Sequence, residues 1–153
     1  MIKKYSTIVL KYISFILILI SFSFPANSEL SVEETIKGRK AIFNKNYKTA
    51  KKVQALASNG DFDKAKILIK EMSENYEILL QYFPNNTKEG FKTEALPIIW
   101  EDKENFNSLM KKASKDMIKL ASIIEDADDI KGTVKKNMWN NCKACHNKYR
   151  EEH

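Results

Sequence analysis

The chain has 153 residues, which favours a single folded domain. Its net charge of +6 arises from 26 basic residues interleaved with 20 acidic ones, and so mild and mixed a charge does not favour a nucleic-acid-binding protein. Its only two cysteines are close in sequence, so a scaffold built on several disulfides is excluded.

The first 28 residues have the features of a secretory signal peptide. Lys3 and Lys4 form a basic start, an uncharged apolar run follows, Pro25 ends that run, and small residues then offer a cleavage site. The apolar run is shorter than the roughly 20 residues of a membrane-spanning helix, so an uncleaved anchor is the less favoured alternative. Cleavage predicts a periplasmic mature chain, residues 29–153, with a net charge of +3 and no stable membrane insertion.

Apolar residues in the mature chain recur at the three-to-four-residue spacing of amphipathic helices. The first predicted helix begins with a capping box formed by Ser31 and Glu34 and ends at Asn59-Gly60. The second predicted helix follows Asp61 and is stopped by Pro84. Its apolar stripe consists of Phe62, Ala65, Ile69, Met72, Tyr76, Leu79 and Phe83.

A long loop over residues 85–96 separates the second predicted helix from a third, which opens at Pro97. The stripe of the third helix consists of Phe106, Leu109 or Met110, Ala113, Met117, Leu120 and Ile124. A fourth helix runs from about Ile130 to Tyr149. Four helices joined mostly by short connections predict an all-α fold, an antiparallel four-helix bundle.

The fourth predicted helix carries the motif Cys-x-x-Cys-His, the attachment signature of a c-type haem. Relative to Cys142, Cys145 lies about 60° around the helix axis and His146 about 40°, so the three side chains share one face. Two thiols placed in this way can form thioethers along one porphyrin edge, and the neighbouring imidazole can ligate the iron. The sequence therefore predicts one haem c attached through Cys142 and Cys145, with His146 as the metal ligand.

Two other chemistries use a Cys-x-x-Cys pair, and neither is favoured here. A thioredoxin-like redox pair belongs to a βαβ context, which the helical periodicity does not support. A structural zinc site needs two further ligands, and the only histidines are His146 and His153.

The sixth coordination position of the iron has no obvious protein ligand. His153 follows His146 on the same helix, so it cannot reach the opposite face of a haem. The best methionine candidate is Met72, but the methionines fall on helical core stripes, where packing is their usual role. The sequence therefore favours a five-coordinate iron, with a methionine-ligated low-spin iron as the alternative.

Arg39 is a charged residue on the apolar face of the first predicted helix, between Ile36 and Phe43. A guanidinium that faces a core needs an anion or a route to water. A haem propionate is such an anion, and the alternative is that Arg39 extends along the helix surface to solvent.

Three sequence elements together resemble the cytochrome c′ family, the class II c-type cytochromes, over essentially the whole mature chain. Residues 142–150 are similar to the haem-binding C-terminal sequence of that family. Residues 36–39, Ile-Lys-Gly-Arg, resemble its first-helix element. Residues 96–102, Leu-Pro-Ile-Ile-Trp-Glu-Asp, with Phe106 after them, resemble the Pro-x-x-Trp-x-Asp opening of its third helix.

The resemblance implies a four-helix bundle with the haem near one end and Arg39 beside a propionate. It places Phe43 on the distal face of the haem and Arg150 near the proximal side. Low-spin relatives use a first-helix methionine as the sixth ligand, and this chain has none there, so the resemblance also implies a five-coordinate iron. Family members often dimerise through their first two helices, so a homodimer is a further expectation.

The predicted function is one-electron transfer, binding of small diatomic ligands such as NO or CO, or both, and no enzymatic activity is expected. The sequence does not identify the redox partner protein. The first alternative is a low-spin, methionine-ligated electron carrier on the same fold. The alternative from another class is a haem-free exported helical module for metal binding or stress.

Overall fold

The computed structural model describes residues 30–152. The predicted signal peptide, the predicted mature start at Glu29, and His153 lie outside these residues. The four-helix bundle predicted from the sequence is confirmed. Its long helices are α1 (Val32–Ser58), α2 (Phe62–Leu79), α4 (Lys103–Ile123) and a C-terminal helix over residues 130–149. No helix in the described part of the chain is both long and apolar enough to cross a membrane.

The predicted capping box and glycine turn set the limits of α1. The Ser31 hydroxyl accepts a hydrogen bond from the Glu34 amide at 3.2 Å, and the Glu34 carboxylate accepts one from the Ser31 amide at 2.9 Å. Gly60 has a φ of +78°, the left-handed conformation that ends a helix at little cost for glycine.

Helix α2 ends several residues earlier than the position of Pro84 predicts. The last α-helical residue is Leu79, and residues 80–82 continue in a tighter turn with i to i−3 hydrogen bonds. A proline disfavours the α conformation of the residue before it, so the chain unwinds ahead of Pro84. The unwinding frees the carbonyl oxygens of Tyr82 and Phe83, which accept hydrogen bonds from side chains of other segments.

The third predicted helix is split in two. A short helix α3 (Ile98–Glu101) precedes α4, and Asp102 at the break has a non-helical backbone, with φ −116° and ψ 43°. The carboxylate of Asp102 accepts hydrogen bonds from Lys148 and from the Tyr149 hydroxyl at 2.8 Å. Asp102 therefore ties the break to the C-terminal helix rather than continuing the stripe.

The C-terminal helix contains a π-helical turn. It consists of α5 (Ile130–Val134), the π turn (Lys135–Trp139) and α6 (Asn140–Tyr149). Such turns hold i to i+5 hydrogen bonds and frequently stand next to functional sites. This one directly precedes the helix that carries the cysteine-histidine motif.

The core lies between α2 and α4, which form the most extensive helix pairing in the bundle. The predicted stripes of these two helices are buried, including Ile69 on α2 and Met117 and Leu120 on α4, except that Phe62 at the start of α2 is only partly buried. α1 contacts the C-terminal helix at α5, which is the beginning of the C-terminal helix. Further along, the first half of α1 and helix α6 line a shared cavity at the other end of the bundle.

Candidate functional site

The cavity between α1 and α6 has a volume of about 790 Å³. Ligand sites in proteins typically measure roughly 300–1,000 Å³, so this cavity can hold a whole cofactor. Its walls come from α1, the end of α2, residues 93–95, α4 and the C-terminal helix. The antiparallel order brings the start of α1 and the end of the C-terminal helix to this one end of the bundle.

Cys142, Cys145 and His146 all line this cavity. They lie on helix α6, so the shared face predicted from their spacing is turned towards the cavity. Both cysteines are free thiols. Burial raises the pKa of both thiols, that of Cys145 to about 12, whereas redox-active cysteine pairs have lowered values. This environment does not suit a thioredoxin-like thiolate.

His146 and Arg150 stand together at the cavity wall formed by the end of α6. Partial burial lowers the pKa of His146, the charge of Arg150 lowers it further, and Glu94 opposes the shift. The imidazole is therefore neutral near pH 7, the form that can donate a nitrogen lone pair to a metal. The guanidinium of Arg150 donates from Nε to the Glu94 carboxylate at 3.0 Å.

The same segment closes the end of the bundle by pairing backbone with backbone. The Leu96 amide donates to the Tyr149 carbonyl at 3.0 Å, and the Glu151 amide donates to the Glu94 carbonyl at 2.9 Å. The residues after the motif therefore fix the loop that precedes α3 against helix α6.

Arg39 is buried, with only 2% of its surface exposed, so it does not extend to solvent. Its guanidinium donates to the Tyr82 carbonyl, the Thr87 hydroxyl, the Thr87 carbonyl and the Thr93 hydroxyl at 2.7–3.2 Å. It also lies 4.7 Å from the centroid of the Phe83 ring. Burial lowers the pKa of Arg39 to about 10, so the side chain still carries its charge at pH 7. Because these four oxygens are neutral, they do not cancel the positive charge of Arg39, and Arg39 carries that charge into the lining of the cavity.

Aromatic rings form one continuous side of the cavity. Phe43 contacts Phe83 edge to face, with ring centroids 6.4 Å apart. The ring centroids of Phe83 and Phe106 are 4.7 Å apart, and those of Phe106 and Tyr149 are 5.3 Å apart. Phe43 is only partly buried, which leaves its ring free to pack against a group that fills the cavity.

The structure separates the methionine candidates for a sixth ligand. Met72 is fully buried in the core and is not among the residues that line the cavity in the described part of the chain. Met110 on α4 does line it. The sequence put both on core stripes, and periodicity alone could not separate a core face from a cavity face.

Several residues at this end were missed by the sequence analysis. Tyr76 lines the cavity, and its hydroxyl lies 3.9 Å from the Cys142 sulfur. Burial, followed by the nearby Cys142, raises the pKa of Tyr76 well above its usual value, so the phenol stays protonated. Asn46 also lines the cavity. It follows Phe43 by three residues, and this helical spacing could have indicated that both side chains lie on the cavity face of α1. Thr87 and Thr93 lie in the loop without periodicity, which gave no signal.

The residues around the cavity fit a covalently attached haem. Two thiols and a neutral imidazole lie on one wall, as the attachment chemistry requires. Most of the remaining lining is apolar or aromatic, which suits a porphyrin. Arg39 places at the cavity a cation whose hydrogen-bond partners are neutral oxygens, and the propionates of a haem are anions. Arg150 also lines the cavity, where its guanidinium is paired with Glu94.

Comparisons with known proteins point to one family. The model of a family described as Cytochrome C' matches residues 34–150. Cytochrome c' from Rhodopseudomonas palustris is 31% identical over 120 residues, covering 76% of this chain and 82% of the relative. The crystal structure of cytochrome c' from Rubrivivax gelatinosus aligns with a TM-score of 0.67 at 27% identity, covering 78% of this chain and 97% of the other. A nitric oxide complex of a cytochrome c prime variant from Alcaligenes xylosoxidans aligns with a TM-score of 0.69 at 18% identity, covering 82% of this chain and 100% of the other.

Proposed function

Because the chain belongs to the cytochrome c′ family, we propose that it is a periplasmic haem protein that exchanges single electrons and binds small diatomic ligands at a five-coordinate iron. The observation that carries this proposal is the single cavity that gathers Cys142, Cys145 and His146. The family is one of electron-transfer and ligand-binding haem proteins. The nitric oxide complex of the Alcaligenes xylosoxidans protein supports a gas-binding role.

When bound, the haem supplies a redox-active iron with a position open to a diatomic ligand. Cys142 and Cys145 would tether the group covalently, which would keep it in place although the bundle is small. The neutral imidazole of His146 would supply a nitrogen ligand to the iron.

The other cavity residues orient the group and control access to it. Arg39 would attract a carboxylate of the group, and its hydrogen bonds to Tyr82 and Thr87 hold its guanidinium in position. Arg150 would lie beside the group, with its guanidinium held by the ion pair with Glu94. Phe43 lines the cavity from α1 and would restrict the access of water and bulky ligands to the group. Asn46 and Tyr76 add polar side chains to the lining of this cavity.

The optical spectrum of the protein with its haem attached tests this function. We expect a high-spin ferrous spectrum that changes when carbon monoxide is added. A His146→Ala variant should keep a covalently bound haem while the spectrum loses the features of imidazole ligation. Protein without covalent haem, purified from cells able to attach it, would overturn the proposal.

A methionine-ligated electron carrier is the second candidate. Met110 lines the cavity and Met72 does not, so Met110 is the better candidate for the sixth ligand of the iron. This candidate predicts a sharp low-spin α-band in the reduced protein that carbon monoxide does not change. A Met110→Leu variant would then become high-spin, while the matched core variant Met72→Leu would keep the low-spin band.

The expected homodimer has a surface on which it can form. Ile67 and Ile78 are exposed apolar residues on α2, one of the two helices through which family members often dimerise. Sedimentation of the wild type and of an Ile67→Lys, Ile78→Lys variant measures whether these side chains support self-association.

A further inference from the structure

Positive and negative charges occupy different helices of the fold. Residues 35–60, most of α1, contain seven lysine or arginine residues and no acidic residue. Residues 130–150, the C-terminal helix and the residue after it, contain six and likewise no acidic residue. Residues 61–129, which include α2 and α4, contain ten lysines and fifteen acidic residues. The mild net charge of the whole chain therefore conceals two segments that are purely cationic.

The two cationic segments are neighbours in space. The ring of Tyr47 on α1 contacts the ring of Trp139 on the C-terminal helix edge to face, with centroids 6.2 Å apart. The indole N–H of Trp139 also donates to the side-chain oxygen of Gln54 on α1 at 2.8 Å. Tyr47 and Trp139 both line the cavity. The positive charges of the two segments therefore meet beside it.

The cavity reaches the surface between these two helices. Tyr47 and Lys143 line it and are exposed to solvent, and Lys40 lines it from α1. Lys51 follows Tyr47 by one helical turn, and its Nζ lies 4.4 Å from the centroid of the Tyr47 ring. The residues around this opening form the cationic face, which consists of Lys40, Tyr47, Lys48, Lys51, Trp139 and Lys143.

The lysines of the cationic face are not neutralised by carboxylates of the described chain. Within residues 30–152, the ion pairs made by the two cationic segments belong to Lys37, Lys45, Lys148 and Arg150. Lys40 donates to a neutral oxygen, the Lys92 carbonyl. Clustered charges of one sign around a cleft raise the local concentration of oppositely charged molecules and their rate of association.

We propose that an acidic electron-carrier protein docks on the cationic face and exchanges one electron with the haem iron at the cavity opening. This inference rests on the proposed function and names the class of redox partner. When the partner is the donor, its reduced centre loses one electron and the ferric iron becomes ferrous. An electron passes readily between two proteins only when their redox centres come close, and the cavity meets the surface at this face. Tyr47 and Trp139 supply the aromatic contacts that are enriched in protein interfaces.

An acidic protein fits this face better than an anionic membrane surface does. A helix that lies in a membrane surface buries a broad apolar face with several large side chains. On α1 and the C-terminal helix, Tyr47 is the one large hydrophobic residue that is exposed within the described residues. The face therefore offers charge and a small aromatic centre, the composition of a protein–protein contact.

Charge reversal on the cationic face tests the proposal in the protein with its haem attached. Lys48→Glu, Lys51→Glu changes two exposed lysines of the face, and Lys111→Glu, Lys115→Glu on α4 is a control with the same net charge. Reduced plant-type ferredoxin is the probe, because it is an acidic one-electron donor of low potential. At low salt, the second-order rate of haem reduction should fall about tenfold in the first variant and less than about threefold in the control. In about 1 M salt, where charges are screened beyond roughly 3 Å, the rates should converge.

Two further measurements separate docking from a change at the haem. Calorimetry with oxidised ferredoxin should give a dissociation constant about tenfold higher for Lys48→Glu, Lys51→Glu than for the wild type. Neutral lumiflavin semiquinone, a small reductant without charge, should reduce the wild type and both variants at equal rates. If the charge-reversed protein folds poorly, Lys48→Gln, Lys51→Gln should show smaller losses in the same direction.

The contrary outcomes distinguish this inference from the proposed function. Equal ferredoxin rates and affinities in the wild type and Lys48→Glu, Lys51→Glu would overturn the inference alone, as would equal losses in the control. Unchanged ferredoxin binding combined with lost binding to vesicles of phosphatidylglycerol and phosphatidylcholine would also overturn it, in favour of a membrane surface. A wild-type haem that neither ferredoxin nor lumiflavin semiquinone reduces would overturn electron transfer itself, and the inference with it.

Discussion

The two ends of the bundle are stabilised by different means. The closed end, where α1 meets α2 and α4 meets the C-terminal helix, is filled by fully buried apolar side chains such as Ile69, Leu120 and Ile124. The cavity end is held by polar groups, above all the buried Arg39 and the partly exposed Asp102, whose partners lie in loops and at helix ends. A small bundle can therefore keep a large cavity if hydrogen bonds at its rim replace the packing that the cavity removes.

The largest effect should come from Arg39 at the cavity end. Arg39→Met leaves the oxygens of Tyr82, Thr87 and Thr93 without their buried donor, so we expect a loss of about 4 kcal/mol in unfolding free energy. Urea unfolding of the haem protein measures it. The neighbouring Lys40 donates to the same loop from an exposed position, so Lys40→Met should cost less than about 1 kcal/mol. Equal losses in the two variants would refute the importance of burial.

A core truncation at the closed end should cost somewhat less and act by another mechanism. Leu120 is fully buried, so Leu120→Ala should lower the unfolding free energy by about 3 kcal/mol through lost burial and a residual cavity. Because Leu120 is far from the ligand cavity, the carbon monoxide spectrum should stay as in the wild type. A spectrum altered by Leu120→Ala would show that the two ends are coupled.

Acid should weaken the cavity end through Asp102. Hydrogen bonds from Lys148, then Tyr149, then Asn105 lower the pKa of this carboxyl to about 2, below its value of about 3.9 in an unfolded chain. A lowered folded-state pKa adds stability above the unfolded pKa, and this stability is lost as the pH falls towards 2. The difference in unfolding midpoint between wild type and Asp102→Asn should therefore be constant from pH 7 to 5 and shrink between pH 4 and 2.

The variant Tyr149→Phe serves as a graded control for Asp102. It removes one of the three donors, so its acid sensitivity should fall between those of the wild type and Asp102→Asn. A pH-independent difference between the wild type and Asp102→Asn would contradict the role of the carboxylate charge.

The smallest effect should come from the ion pair between Lys66 and Glu125 at the closed end. Because Glu125 is largely exposed, solvent screens the pair, and Lys66→Met should lower the unfolding midpoint less than any of the other variants. The remaining difference should vanish in about 1 M salt, where the screening length is roughly 3 Å. A difference that persists in high salt would indicate that the methylene groups of Lys66, not its charge, provide the stability.

The closed end could be predicted from the sequence almost residue by residue. The stripe through Met117, Leu120 and Ile124 is buried as expected, because a three-to-four periodicity reports which face of a helix meets the core. The cysteine-histidine motif likewise predicted a shared face, since three nearby residues on one helix have a fixed angular relation.

The cavity end was less predictable because its contacts join segments distant in sequence. The position of Arg39 on an apolar face was evident, but its partners Thr87 and Thr93 lie in a loop whose sequence has no period. The helix break at Asp102 depends on Tyr149, which is far along the chain. Neither local propensity nor spacing contains information on such pairs.

The π turn of the C-terminal helix lets the chain hold one residue more before the motif without changing the direction of the motif. The turn over residues 135–139 is widened by i to i+5 hydrogen bonds, so its residues each rotate the chain by less than the roughly 100° of an α-helix. The extra residue is thereby absorbed, and Cys142 and His146 keep the direction that a regular helix one residue shorter would give them. Removing the exposed Lys136 should therefore restore a regular helix while both side chains still face the cavity.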